Sequence, residues 1–161
     1  VLGAVGEGPT HGFAVAQLLA SDGPLGRVWT VARPAVYAAF HKLLRSELIS
    51  AGPVTAGNRG PSRTTVTLTE EGAVVLADWL ASPVDHVRDV RSLLLLKLAL
   101  LDRRAIDPVP LLAAQRELLL PRITALTAQR NAAAGFERTL TQWRLESCDA
   151  TLNFLQAIMS G

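Results

Sequence analysis

Between Arg27 and Arg63 the chain carries six cations, Arg27, Arg33, Lys42, Arg45, Arg59 and Arg63, against one acid, Glu47, a local balance of +5. Acids flank the stretch at Glu7, Asp22, Glu70 and Glu71. Guanidinium and ammonium groups gathered this way are suited to one task above others, pairing with the oxygens of a phosphate backbone. Over the whole chain 16 basic residues face 14 acidic ones, a net charge of +2. The information therefore lies in where the charge sits rather than in its total.

Other chemistries find little support. His11, His41 and His86 are far apart, with neither HxH nor HxxxH spacing, and Cys148 is the one cysteine. That excludes an intrachain disulfide and a cysteine-based zinc site, and a lone thiol suits a reducing cytoplasm. Ser62, His86 and Asp89 coexist without local order, and no loop of the P-loop kind is present to cradle a phosphate. We expect no cofactor, no metal and no enzymatic activity. The apolar run 1–5 ends at Gly8-Pro9, and the run 93–101 is too short to span a bilayer and contains Lys97. No membrane partner is expected, and the expected location is the cytoplasm. The chain opens on Val1 rather than Met, so native residues are expected ahead of it.

The elements that would position the cations can be read from period and punctuation. Residues 1–7 read as the end of a helix broken by Gly8-Pro9. Thr10 or His11 leads into a second helix over 13–21, followed by a turn-rich loop at 22–26 and a short strand-like piece at 27–31. Pro34 fits the first turn of a third helix reaching about Ser46, with Val36, Phe40 and Leu43 on one face and Ala38, His41, Lys42 and Arg45 on the other. Two β-type runs, 48–54 and 63–68, enclose a hairpin tip at 55–62. Thr69 then caps a helix with Glu70 and Glu71 in its first turn, which ends before Pro83. Helix, helix, helix, hairpin, helix is the order of a winged helix-turn-helix. The fold class is mainly α with a small β-hairpin wing. We divide the chain into a winged domain over 1–82 and a C-terminal helical dimerisation domain over 83–161.

In the second part, 81–89 reads as a connection and 90–101 as a helix apolar nearly all round. Asp107-Pro108 opens a helix towards Asn131, which Pro121 should kink or split. The last helix, 136–159, carries two apolar stripes. Leu145, Cys148, Leu152, Leu155 and Met159 form one; Phe136, Leu140, Trp143, Phe154 and Ile158 form the other. Two stripes are more than one neighbour covers, so one is expected against its own chain and the other against a symmetry mate. From the two we take Leu140, Trp143, Cys148, Leu152, Leu155 and Met159 as dimerisation residues.

In a winged helix the third helix enters the major groove. Its outward face offers Arg33, Pro34, Tyr37, His41, Lys42 and Arg45. Arg33 and Tyr37 are placed for base edges or nearby phosphates, Arg being able to pair with guanine O6 and N7. Lys42 and Arg45 read as phosphate ligands. Asn58 and Arg59 at the wing tip would reach the minor groove, and Arg63 at the wing base would hold the backbone. Singly, each of these residues is as ordinary on a solvated surface; their joint placement on two DNA-facing elements carries the reading. The competing class is a winged-helix protein-interaction module that binds no DNA, and the +5 cluster argues against it.

These residues also carry a resemblance. Val1-Leu2-Gly3, Glu7-Gly8-Pro9 and His11-Gly12-Phe13 resemble the opening of PadR-family regulators. Val36-Tyr37 with Leu43 and Leu48-Ile49 is similar to that family's recognition helix and following strand, Leu68-Thr69-Glu70-Glu71-Gly72 to its wing-to-helix signature, and Trp79-Leu80 with Pro83 to its domain end. The resemblance covers about the first hundred residues by motif. It implies a homodimeric transcription factor, usually a repressor, bound to a double-stranded DNA operator, whose inverted half-sites lie roughly 34–36 Å apart. In some members a small aromatic or cationic effector binds near the dimer interface and weakens DNA binding. Trp79, Phe136, Trp143 and Phe154 are the residues such an effector would meet, although aromatics at helical spacing are more often core, and core is the reading we favour for them. Three positions depart from the family: Glu47 stands where Gly is usual, Ala32 where Ser would cap the third helix, and Val66 where an aromatic is common.

Overall fold

A computed structural model describes residues 1–57 and 60–160, with backbone alone at 55–57 and 60–63. It divides into two compact units, Val1–Leu80 with Leu95–Ile106, and Ala81–Leu94 with Asp107–Gly161. The first unit thus also takes in a helical segment beyond residue 82.

The first unit contains α1 (Leu2–Val5), α2 (Gly12–Leu18), α3 (Arg33–Arg45), β1 (Ile49–Gly57), β2 (Gly60–Leu68), α4 (Glu70–Ala81, whose last residue lies across the unit boundary) and α5 (Leu95–Arg103). α2 is capped by His11, whose Nδ1 accepts from the Ala14 N–H at 3.1 Å. α3 has Pro34 in its first turn and no side-chain cap at Ala32. Val36 and Phe40 bury its inner face. α4 is capped by Thr69, whose Oγ1 accepts from the Gly72 N–H at 3.0 Å and donates to the Glu47 carbonyl at 2.7 Å. One hydroxyl therefore starts α4 and ties it to the end of α3. A Cβ at Gly72 would collide with the Leu48 carbonyl, so this close approach needs glycine.

β1 and β2 pair antiparallel from Ile49↔Leu68 to Gly57↔Gly60. The ladder runs further than the strand patterns at 48–54 and 63–68 predict, into what reads as the tip. Two register shifts, between Ala51 and Val54 and between Thr55 and Gly57, allow it. Pro53 falls within the first, where a bulge tolerates its missing N–H. Thr10 adds an isolated bridge to Val66, with N–H···O bonds of 3.0 and 2.7 Å. The strand-like piece expected at 27–31 is not a strand. Its amides turn back instead, Arg27 N–H to the Gly23 carbonyl, Val28 and Trp29 N–H to the Leu25 carbonyl, and Val31 N–H to the Leu19 carbonyl. The β-branched pattern lost to the burial of Leu25, which is 1% exposed and draws the loop into consecutive turns.

α3 ends in a Schellman motif. The Leu48 N–H bonds the Leu43 carbonyl and the Glu47 N–H the Leu44 carbonyl, with Glu47 left-handed at φ 55. α5 ends the same way: Ile106 N–H to Leu101, Ala105 N–H to Asp102, and Ala105 at φ 51. A left-handed L-residue costs about 1–2 kcal/mol, against roughly 0.5–1 kcal/mol for the extra chain entropy of glycine. Glu47→Gly and Ala105→Gly are each expected to stabilise the protein by about 0.5–1 kcal/mol. The upward shift of the melting temperature in calorimetry would be about 1–4 °C; a fall for either variant would refute the strain at that site.

The second unit holds a 3-10 turn (Val87–Asp89), a π-helical stretch (Val90–Leu94), α6 (Val109–Ala132) and α7 (Gly135–Met159). Asp107 Oδ1 accepts from the Val109 N–H at 3.0 Å and opens α6. Pro121 lies inside α6 without splitting it. The carbonyl it leaves without a helical donor, that of Glu117, is on an exposed face where water can serve it. α6 and α7 pack through Leu111, Leu112, Leu119, Leu145, Cys148 and Leu155, all buried. Among the described residues no helix is long and apolar enough to cross a membrane.

Candidate nucleic-acid interface

α3 presents Arg33, Pro34, Tyr37, His41, Lys42 and Arg45 to solvent; all six are exposed. The helix contains no acid, so nothing on it offsets the positive face. Glu47 follows immediately, and its side chain is also exposed. Arg33 is steered by its neighbour, with its guanidinium carbon 4.8 Å from the centroid of the Phe13 ring, a cation–π distance. Tyr37 is 40% exposed and leans on α2, where an added Cβ at Gly12 would come within 2.7 Å of its Cε1. Gly12 therefore sets how closely α3 approaches the start of α2.

Together these residues rim a concave surface lined by His11, Gly12, Phe13, Arg33, Tyr37, Phe40, His41, Leu44, Thr64 and Val66. It joins the start of α2, the outer face of α3 and the base of the wing within the first unit. Of the wing residues singled out from the sequence, Asn58 and Arg59 lie outside the described residues, and Arg63 is described only as backbone paired with Thr55.

The two stripes of α7 fare differently. Leu145, Cys148 and Leu155 are buried in their own unit and Leu152 is half-buried. Cys148 and Leu155, named above as dimerisation residues, thus have almost no surface left, at 3% and 0% exposure. Burial also pushes the Cys148 thiol up from its ordinary pKa, with Asp149 adding to the effect, which keeps it protonated and a poor nucleophile. Leu140 is half-buried and Met159 exposed.

The core reading of the aromatics is corrected for two of them. Phe136 is 75% and Trp143 71% exposed, because α6 covers only the other stripe. Phe154 is half-buried. Trp79 belongs to the first unit, where it lines an apolar cavity of about 320 Å³ with Leu19, Leu25, Leu76 and Leu100. Beside Trp79 is Lys97, whose Nζ is 4.8 Å from the ring centroid. Lys97 is buried, which its place in an apolar run alone signals.

Sequence reading missed Gln115, buried at 1% exposure, whose Oε1 accepts from the Val84 N–H at 2.7 Å and whose Nε2 donates to the Val84 carbonyl at 3.0 Å. A polar residue at a core-facing helical position was the available signal. It also missed the paired bonds of Arg103 to Glu7, at 2.5 and 2.6 Å. These join residues 96 positions apart, with no local pattern to announce them.

Residues 1–78 match the model of the transcriptional regulator PadR-like family. No curated relative matches the chain. Among solved structures it is similar to Bacillus subtilis PadR in complex with operator DNA, at 18% identity and a TM-score of 0.49, over 99% of this chain and 93% of that one. It is also similar to smu.1604c of Streptococcus mutans UA159, at 15% identity and a TM-score of 0.45, over 99% and 96%. The family match spans the first 78 of 161 residues, the winged part of the chain.

Proposed function

We propose that the chain acts in the cytoplasm as a homodimeric repressor that binds an inverted-repeat operator in duplex DNA through α3 and the wing. The observation that carries this reading is the acid-free, solvent-facing array Arg33, Tyr37, His41, Lys42 and Arg45 on α3, in a chain whose first 78 residues match a family of transcriptional regulators. In this reading Arg33 and Tyr37 meet base edges, Lys42 and Arg45 meet phosphates, and Asn58, Arg59 and Arg63 act from the wing. The second copy covers the open stripe of α7, Phe136, Trp143 and Ile158 with Leu140 and Met159, which leaves large apolar side chains in water when alone. An effector acts, where there is one, by binding one dimer geometry better than the other.

Fluorescence anisotropy with the DNA upstream of the chain's own gene, across a salt series and against a scrambled duplex, tests the reading. A Kd of about 10⁻⁸ M or tighter for the upstream duplex, falling steeply with salt, is expected. No binding to either duplex at low salt would replace it with a winged-helix protein-interaction module.

A further inference from the structure

Phe13 is a large apolar side chain that the core does not fully claim. It stands in the first turn of α2, 37% exposed, on the same concave surface as Arg33, Tyr37 and His41. A single apolar ring at the surface is ordinary; two contacts set this one apart. The Arg33 guanidinium lies over it, with its carbon 4.8 Å from the ring centroid, a distance at which a cation is drawn to a ring face. The His11 ring stacks on it as well, centroids 6.4 Å apart and planes 23° from parallel. His11 is in turn held to the backbone by its bond from the Ala14 N–H. The phenyl ring is thus braced at the start of α2 and meets the first residue of α3.

An unrestrained arginine samples many rotamers and loses them when it binds. A ring beneath the guanidinium removes part of that loss before DNA arrives. A carboxylate would also restrain the group, but it would occupy the donors that a base needs. A ring face presents no oxygen, so the five N–H donors stay open to guanine O6 and N7. Among the described residues no carboxylate pairs with Arg33. We infer that Phe13 is a positioning residue for base reading: it preorganises Arg33 and so sharpens the choice of operator over other DNA without itself touching a base. This role rests on the reading of α3 as the recognition helix. A cation–π contact at an exposed site is worth about two- to fivefold in affinity. Lost from both protomers of a dimer, it is worth about five- to thirtyfold.

The test pairs a measurement without DNA with one on DNA. Nuclear magnetic relaxation of the Arg33 Nε–H in the free full chain should report a restrained side chain. It should report a more mobile one in Phe13→Leu, which stays apolar and loses the ring face. Fluorescence anisotropy with the upstream and scrambled duplexes follows. Phe13→Leu should weaken operator binding about five- to thirtyfold, more than it weakens scrambled binding, and Phe13→Tyr, which keeps the ring face, should retain native discrimination. In the Arg33→Gln background Phe13→Leu should cost nothing further. Circular dichroism melting of each variant separates these losses from unfolding. Equal Arg33 mobility in the native chain and Phe13→Leu would overturn the positioning and leave the DNA reading standing. A full Phe13→Leu loss in the Arg33→Gln background would overturn it too, by making the ring a DNA contact in its own right. A restrained Arg33 in a native chain that binds both duplexes alike would overturn the DNA reading, and this role with it.

Discussion

Replacing Arg33, Lys42 and Arg45 with glutamine together is expected to weaken binding to the operator duplex by at least about a hundredfold at near-physiological salt, with hydrogen bonds from charged groups each contributing about 1.5–3 kcal/mol. All three are exposed on α3, so their removal leaves the buried face of Val36 and Phe40 intact. The diagnostic is the salt dependence rather than the loss itself. Each phosphate contact contributes roughly 0.9 to the slope of log K against log salt, so losing those of Lys42 and Arg45 lowers it by about 1.8 for each protomer. Arg138→Gln on α7 removes an equal charge from an exposed helix of the other unit and should leave both quantities nearly unchanged. Arg33 alone should do something further. If it reads a base edge, Arg33→Gln narrows the gap between operator and scrambled duplex, whereas Lys42→Gln weakens both alike. An unchanged salt slope in the triple variant would remove α3 from the DNA surface.

What was legible in the sequence was mostly local. Thr69 and Asp107 were readable as caps because the bonds they make are to amides two or three residues away. The α3 face was readable because a period of 3.6 separates Val36 and Phe40 from His41, Lys42 and Arg45. Glu47 drew notice as a non-glycine at the end of α3, and it does take the left-handed conformation. Ala105 does the same and gave no sign, since alanine carries no preference for that region. The longer wing escaped because Gly57, Asn58 and Gly60-Pro61 read as turn residues, and the register shifts along the ladder leave no mark in the sequence. The turns at 27–31 escaped because β propensity describes a side chain's fit to a pleated surface, while the burial of Leu25 decides where that chain goes. The two stripes of α7 were readable, and which one α6 covers was not, because that depends on how the two helices pack and no spacing in the chain encodes it.

Gln115→Leu is expected to destabilise the second unit by about 2–4 kcal/mol, because the Val84 N–H and carbonyl would both lose their partner, each at about 1–3 kcal/mol, with some return from the added apolar surface. The site is dry: Gln115 is 1% and Val84 5% exposed, so water cannot easily take the place of the amide. The side chain acts as a short stretch of β-ladder, one acceptor and one donor matched to one peptide unit. Arg122, two turns along α6, donates to the Asp85 carbonyl next to it, so two residues of α6 fasten this segment. Urea unfolding followed by circular dichroism would read the loss. A second variant separates hydrogen bonding from shape. Gln115→Glu keeps the volume and the acceptor, but as a carboxylate it lacks the donor and places a charge in an apolar site. Burial raises such a carboxyl above its unfolded pKa. Its protonated form can donate to the Val84 carbonyl while still accepting from the N–H. The stabilising protonated contact is therefore fully present below the unfolded pKa and is lost as pH rises through the raised folded value. The deficit of Gln115→Glu relative to the native chain should shrink as the pH falls towards 4, while that of Gln115→Leu should not follow it. Parallel pH profiles for the two variants would mean that Gln115 fills space and does not pair with the Val84 peptide.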